Sequence, residues 1–594
     1  MRSSAPLHAE GTAAYGFQIY KMISAFSTCR WPFSPVLAAG LALLSGAALA
    51  GSTAETVYAK SDPLWRPDHA PRASDVIMRS LRPRVGGVEN DSLEASRAFH
   101  VTRHEWTYLN PHMDGVDHET AARFVRETME DGILVGGAGA GTINQVQGLT
   151  DHAPEDLCAL DIDGNIFVMH HQRGWPDLRQ RGQGSVFSDE FFLAHLLHYT
   201  LQLDLGVTSL QRDEGWMSIN QGYDFRPEAV AGFRGYLAEN STERERREWD
   251  IGDPEDFDVA EYFRSLGVPE ERPQRWFHRW QRDNPVKQLY DDFIVEGVVG
   301  FYERLRAALN DHAGQPVPFS CNNTSLQQWT PAHLVFDWAM SELMFRTANP
   351  EHIYDRYRAG MEHGKIQVLS TPKPMGSVTD YAAFRALNRK VIAQAYALGG
   401  LTKAPWDLFL QTDDGTGRYF GEAAHYADLY GFIRAMAPYM EHFEEAAAYG
   451  EGIPDVHGWE THPLRVEGSD EVYAFLRVRP RDTESPVVIH IVNWGEAGDT
   501  VDILVRADAI ERNKVDSVAR LLRPAPYHER LHRLAERRQA ALREHGKLRG
   551  PEQHPAYQIL VESNLLETDE TTDGWLRFRS VTADPWSVLV IEKL

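Results

Sequence analysis

From about residue 96 the chain alternates short apolar runs with longer amphipathic stretches, a rhythm that predicts βα units around a parallel sheet. The first strand is expected at Ala98–Trp106 and the second opens at Gly132–Val135, within GILVGGAGAG. A hairpin over Leu157–His171 is expected to feed a third strand, Ile166–His170. The remaining strands are expected at Val207–Arg212, Val317–Cys321, Leu334–Met340, Lys365–Ser370 and Leu401–Ala404. Helices are predicted over Thr120–Asp131, Asp189–Leu205, Pro227–Ala238, Pro285–Ala313, Tyr381–Leu398 and Gly421–Tyr439. Ser188 caps the second of these, acids fill its first turn, and Gly206 stands just past its end. Eight strands with intervening helices predict an α/β fold, a (β/α)8 TIM barrel, over residues 96–445. Its main insertion is expected at Asn240–Trp280, whose charge run STERERREWD reads as a solvated face.

After residue 446 the texture changes to short alternating segments: Val472–Val478, Pro486–Asn493, Thr500–Val505, Trp575–Ser580 and Trp586–Glu592. These predict a C-terminal antiparallel β-sandwich over residues 446–594, interrupted by a charged helical insertion at Arg523–Gly550. Residues 51–95, dotted with Pro and Arg, read as an N-terminal arm. Ahead of them Val36–Ala50 is uncharged, Lys21 and Arg30 precede it, and Ala48-Leu49-Ala50 has the small-x-small form of a cleavage site. The run is shorter than the ~20 residues of a membrane span, so residues 1–50 read as a signal peptide with an extended N-terminus, and Met22 would make a more ordinary start. The expected location is secreted or periplasmic, with no membrane attachment after cleavage.

Composition narrows the partners. The 594 residues carry 85 acidic against 60 basic side chains, a formal charge of -25, which disfavours nucleic acid and anionic membranes. Aromatics make up 11% of the chain, suited both to large cores and to stacking on the apolar faces of sugars. Of three cysteines, Cys29 would leave with the signal, and Cys158 and Cys321 are expected to be buried free thiols.

In such a barrel the reacting groups sit at the C-terminal strand ends, and here those ends are polar almost throughout. They carry His104, Glu105 and Trp106; His171 and Arg173; Asp213, Glu214 and Trp216; Asn322 and Asn323; Asp337 and Glu342; Lys373; and Trp406 with Asp407. Asp213-Glu214 is the strongest element, two carboxylates after an apolar strand followed by Gly and Trp. With Ser209 and Gln211 facing inward, alternation turns Asp213 inward as well, while a strand ending earlier would free Glu214. Glu342 falls at the sixth strand's end, and Asp337, within an apolar run, needs a hydrogen-bonding partner.

Glycoside hydrolysis needs one protonated and one ionised carboxyl group at one pocket. Asp213 as nucleophile or base with Glu342 as acid is the leading pairing, and Glu214 with Glu342 the second. Asn322 and Asn323 are candidate ligands of sugar hydroxyls, joined by His104, Glu105, His171, Arg173, Asp337, Lys373 and Asp407. Trp106, Trp216 and Trp406 are candidate sugar platforms. The expected partner is therefore a carbohydrate, and no cofactor or metal is expected: His170 and His171 point to opposite faces of a strand, and no HxH or HExxH spacing occurs. Three alternatives stand beside this reading: a metal-dependent hydrolase, a polysaccharide lyase with a Tyr, His or Lys base, and a carbohydrate-binding protein without catalysis. The Gly136–Gly141 run lacks the phosphate-cradling patterns and reads as a tight loop near the site.

Two strings carry a family resemblance. LQRDEGW…YDFRPEAVAGFRGYL (Leu210–Leu237) resembles the fourth-strand region of TIM-barrel glycoside hydrolases related to family 42-type β-galactosidases. FDWAMSEL (Phe336–Leu343) resembles the sixth-strand D-x-x-x-x-E of related hydrolase-like families. The resemblance implies the barrel, a trailing β-domain, the hydrolase class, and Glu214 as a candidate acid/base. It departs at strand seven, where STPKP (Ser370–Pro374) lacks the family's Glu nucleophile, so β-galactoside specificity is not carried over.

Overall fold

The computed structural model describes residues 55–594 apart from 65, 80–83, 86–87, 90–95, 98, 110–116, 147, 169–181, 214–223, 273–275, 324–328, 344, 373–379, 406–424, 496–497 and 526–559. Eight parallel strands close into a barrel: β1 Ile77–Arg79, β2 Arg103–Thr107, β3 Leu134–Ala140, β4 Ser209–Asp213, β5 Phe319–Asn322, β6 Trp338–Ser341, β7 Ile366–Ser370 and β8 Leu401–Lys403. Each strand pairs with its chain neighbours, and β1 closes against both β2 and β8.

The helices outside the barrel are α1 His118–Glu130, α2 Asp189–Asp204, α3 Pro227–Asn240, α4 Pro285–Ala313, α5 Pro350–Met361, α6 Tyr381–Ala397 and α7 Ala427–Ala435. Their starts follow local chemistry. The side chains of Asp117, Ser188, Asn284, Asn349 and Asp380 each accept a backbone N–H of the first turn. The 29-residue α4 stops at Gly314, whose φ of 67° needs a residue without Cβ. Cys158 and Cys321 are both buried free thiols, as expected.

The barrel strands differ from the sequence expectation at five points. The first barrel strand is β1, inside the stretch read as an N-terminal arm. It has only three residues, and burial on both sides erases any period-two pattern. The expected third strand is not a barrel strand: Ile166 and Val168 make isolated bridges to Leu160 and Gly182, in a small insertion between β3 and α2. The strand expected at 98–106 begins only at Arg103 and stands second. The Gly-rich run read as a loop is the body of β3, buried throughout. Lastly, Leu334 ends a short helix and the sixth strand starts at Trp338.

The C-terminal sandwich is as expected, and larger. A six-stranded antiparallel sheet contains Val472–Val478, Val487–Asn493 and Trp586–Lys593, joined by Glu444–Tyr449, Ser517–Pro524 and Val561–Leu566. A four-stranded sheet contains Thr500–Arg506 and Trp575–Thr582, with Leu464–Glu467 and Thr568–Glu570. The charged insertion falls mostly outside the described residues. One face of the larger sheet packs on the smaller through Leu476, Ile489, Ile503 and Phe578. Its other face, through Phe475, Val488, Val492 and Trp586, joins the core under α6 and α7. Phe432 of α7 meets the Trp586 ring edge-on at 5.0 Å. The sandwich thus braces the last two strands of the barrel. Among the described residues no helix is long and apolar enough to cross a membrane.

The insertion after β3 is tied to the start of α3 by Asp224. This wholly buried carboxyl accepts from the Ser185 hydroxyl and from the backbone N–H groups of Leu160 and Arg226, at 3.2 Å each. Burial outweighs these donors and raises its pKa to about 6. The folded state therefore holds this proton more tightly than the unfolded chain, and the stability it brings is lost as pH rises from about 4 to about 6. Urea unfolding should show the stability difference between wild type and Asp224→Asn moving in favour of the variant by about 3 kcal/mol across that window. A pH-independent difference would contradict the assignment.

Candidate active site

The interior of the barrel follows from register. Gly136, Ala138 and Ala140 of β3 stand beside Ser209, Gln211 and Asp213 of β4, so these three β4 side chains share the inner face, as alternation predicts. On β5, Ser320 and Asn322 face inward, and on β6 Trp338 and Met340 do. Lys403 of β8 stands in register with Ile77 of β1, which in turn stands beside the inward Arg103 of β2.

Strand β2 breaks the alternation. Its pairing with β3 shifts between His104 and Thr107, so that Glu105 and Trp106 together oppose one residue, Gly136. Trp106 has φ of 63°, a left-handed conformation costly for a bulky residue. The bulge turns both Glu105 and Trp106 inward, and with them Tyr108, which regular alternation would have left outside. Gly136 makes this geometry feasible: a Cβ there would lie 2.1 Å from Glu105 Oε2 and 2.6 Å from Ser209 Oγ.

Asp213 is the focus of these side chains. Tyr108 Oη donates to its Oδ2 at 3.1 Å, and Asn322 Nδ2 donates to its Oδ1 at 3.0 Å. Trp106 Nε1 donates to the Tyr108 hydroxyl at 3.0 Å, leaving the phenolic proton for Asp213. Lys403 Nζ lies 4.7 Å from the centre of the Trp106 ring, a cation–π contact reaching across β1, the strand between β8 and β2. Both oxygens of a partly buried carboxylate thus receive donors from neighbouring strands, an arrangement that favours its ionised form.

Below lies a sealed floor. Glu105 accepts from Arg103 Nε at 2.9 Å and Nη2 at 2.6 Å, and from Ser209 Oγ at 3.0 Å. Burial pushes its pKa up and the Arg103 charge opposes that rise. The Arg103 guanidinium lies over the Trp338 ring. Glu105, expected as a sugar ligand, is instead fully buried within the barrel. Glu342 directly follows β6 at the C-terminal end, with inward parity from Trp338 and Met340. The next peptide is fixed where the Leu343 N–H donates to Ser370 Oγ of β7 at 3.0 Å.

Three other candidates are placed away from the mouth. His104 faces outward, its Nε2 2.5 Å from Ser96 Oγ and its ring edge-on to Phe124 of α1. Burial lowers its pKa to about 3, so it is a neutral packing group. Asn323 is spent in a reciprocal amide pair with Gln367, at 2.9 and 3.2 Å, and is almost fully buried. Asp337 stands at the opposite end of β6, bound by Arg306 Nη2 at 2.5 Å and the Phe319 N–H at 2.8 Å. It is the hydrogen-bonding carboxylate an apolar run demanded, and not a mouth residue. Glu214, Trp216, His171, Arg173, Lys373, Trp406 and Asp407 lie outside the described residues.

Sequence reasoning missed Tyr108 and Lys403. Both sit inside or just past a barrel strand, and the signal for Tyr108 was the Gly-Gly pair opposite it, which marks a close approach. Among the described residues no three His, Cys, Asp or Glu side chains cluster as metal ligands.

No protein-family model matches the chain, and no curated protein matches it in sequence. Among solved structures, the chain is similar to an α-L-fucosidase isoenzyme 2 from Paenibacillus thiaminolyticus (8% identity, TM-score 0.47, 88% of this chain and 100% of that one). It is also similar to a noncanonic maltogenic α-amylase from Thermotoga neapolitana (9%, TM-score 0.44, 87% and 98%). A third is the debranching enzyme of Nostoc punctiforme (10%, TM-score 0.41, 89% and 99%). Likeness at this level carries no argument about chemistry.

The bulge and the Asp213 clamp can be tested separately. Gly136→Ala should cost about 1–3 kcal/mol or more of unfolding free energy, because Glu105 and Trp106 cannot both stay inward. A wild-type denaturation curve for this variant would refute the close approach. Tyr108→Phe should lower kcat/KM about 10- to 100-fold on any substrate turned over, the worth of one hydrogen bond to a charged group, with little change in stability.

Proposed function

We propose that this protein is a glycoside hydrolase acting at the C-terminal mouth of its barrel. The observation that carries the reading is the Asp213 carboxylate, turned inward at the end of β4 and held on both oxygens by Tyr108 and Asn322. A carboxylate so held suits a nucleophile or a base. Glu342, at the end of β6 two strands on, serves as the acid that protonates the departing oxygen. Trp106, expected as a sugar platform, is 2% exposed with the Lys403 ammonium over its ring, and its part is to hold the Tyr108 hydroxyl from within the barrel.

Glu214, next to Asp213 in the chain, is the second candidate for the acid/base. The substrate is an oligo- or polysaccharide joined by O-glycosidic bonds. The apolar run Val36–Ala50 would export the enzyme to the periplasm or the medium, where such polymers are met. The resemblance at Leu210–Leu237 to family 42-type enzymes agrees with the class, while Ser370–Pro374 without a Glu moves the second carboxyl to β6.

The test is reducing-sugar release over a panel of polysaccharides. Asp213→Asn and Glu342→Gln should each lower kcat by at least ~100-fold while leaving binding to the hydrolysed sugar intact. Undiminished rates in both variants would refute the assignment. Loss in Glu214→Gln with retention in Glu342→Gln would move the acid to Glu214.

A further inference from the structure

Behind the strand that presents Asp213, a guanidinium is sealed among neutral groups. Arg212 faces outward from β4 and is 2% exposed. Its Nε donates to the Tyr302 hydroxyl of α4 at 2.8 Å, and its Nη1 donates to the Ala140 carbonyl and to His195 Nε2 of α2. The guanidinium also lies over the Tyr302 ring. Among the described residues no carboxylate lies within ion-pair distance of it. His195 must present a lone pair to accept this bond, so the ring is neutral. Burial and then the Arg212 charge depress its pKa well below the usual range.

A buried cation without a counter-ion is expensive, and well-packed apolar residues would serve the core as well. The next carboxylate along the chain is Asp213, on the other face of the same strand. Tyr199 of α2, whose hydroxyl donates to the Gln211 carbonyl at 3.2 Å, is acted on by both the Arg212 and the Asp213 charges. We propose that Arg212 is a positioning residue that keeps Asp213 ionised, its unneutralised charge acting through β4 from outside the barrel. This rests on the reading of Asp213 as the ionised carboxylate of the hydrolase.

These are the charged and titratable groups that face the pair among the described residues. Tyr108 of β2 and Asn322 of β5 bind Asp213 directly. Glu342 stands at the end of β6, Lys403 of β8 over the Trp106 ring, and Glu105 lower in the barrel beside Arg103. Around Arg212 stand His195, His198 and Tyr199 of α2 and Tyr302 of α4, with the Cys321 thiol of β5 acting on Tyr302. Burial lowers the pKa of His198 to about 4 and raises those of Tyr199, Tyr302 and Cys321, so all of these are neutral near pH 7. Among the described residues Arg212 is thus the cation on the outer side of β4.

The experiment reads the acidic limb of the pH–kcat/KM profile. Arg212→Met should move that limb up by about one pH unit with KM little changed, and Arg212→Lys should return it toward wild type. If Arg212→Met does not fold, His195→Glu gives the guanidinium a carboxylate partner and should move the limb the same way. A role in packing alone would lower the unfolding midpoint and leave the limb in place. Limbs unmoved in Arg212→Met and His195→Glu would overturn the proposal.

A second readout needs no turnover: the 13C carboxyl resonance that disappears in Asp213→Asn, titrated in wild type and in both variants. A midpoint that moves up with loss of the Arg212 charge, in a protein that hydrolyses no glycoside, would reject the hydrolase and leave this coupling standing. A fixed midpoint in an active hydrolase would do the reverse.

Discussion

The site depends on one irregularity, the bulge that sets Glu105 and Trp106 against Gly136. In a regular β2, Tyr108 would point at the helices and Asp213 would lose its phenolic donor. The bulge moves it to the inner face, at the cost of a tryptophan in a left-handed conformation and a strand with no side chain at 136. The strain is held by what Trp106 gains: a hydrogen bond to Tyr108 and an ammonium over its ring. Gly137 and Gly139, on the outer face of β3, make the matching concession. There Gln202 and Tyr199 of α2 press where a Cβ would stand, at 2.6 and 2.7 Å.

Charge is layered along the barrel axis. Arg103 and Glu105 neutralise each other in the sealed floor, and above them the Asp213 carboxylate is met by neutral donors. The strand between floor and mouth therefore carries its polar groups in pairs, Ser209 to Glu105 below and Asp213 to Asn322 above. A carboxyl at the mouth can change its bonding during a reaction without unbalancing the floor. The sandwich contributes rigidity on the opposite wall. Its large sheet shares a core with α6 and α7, which carry β7 and β8.

Much of this was legible in the sequence where a side chain's chemistry is local. Ser188 and Asp189–Glu190 mark the start of α2, and Ser209, Gln211 and Asp213 share a face as simple alternation requires. The polar strand ends placed Asp213, Asn322 and Glu342 at the mouth. What could not be read depends on contacts far apart in the chain. β1 is three buried residues without periodicity, identifiable only by its pairing with β2 and β8. His104 and Asn323 lie at strand ends like true site residues, yet one packs against Phe124 and the other is consumed by Gln367. Tyr108 and Trp106 needed the bulge, and a bulge is a property of two strands together. The Gly-rich β3 looked like a loop because its glycines answer side chains from β2 and α2.

In the proposed reaction a sugar lies between Asp213 and Glu342 at the barrel mouth. The most direct measurement is a crystal structure of the Asp213→Asn variant with the oligosaccharide it binds best. The expected result is a glycosidic oxygen within hydrogen-bond reach of Glu342, with the adjoining anomeric carbon facing residue 213. Sugar bound only on the C-terminal sandwich, with the mouth empty at saturating ligand, would contradict it.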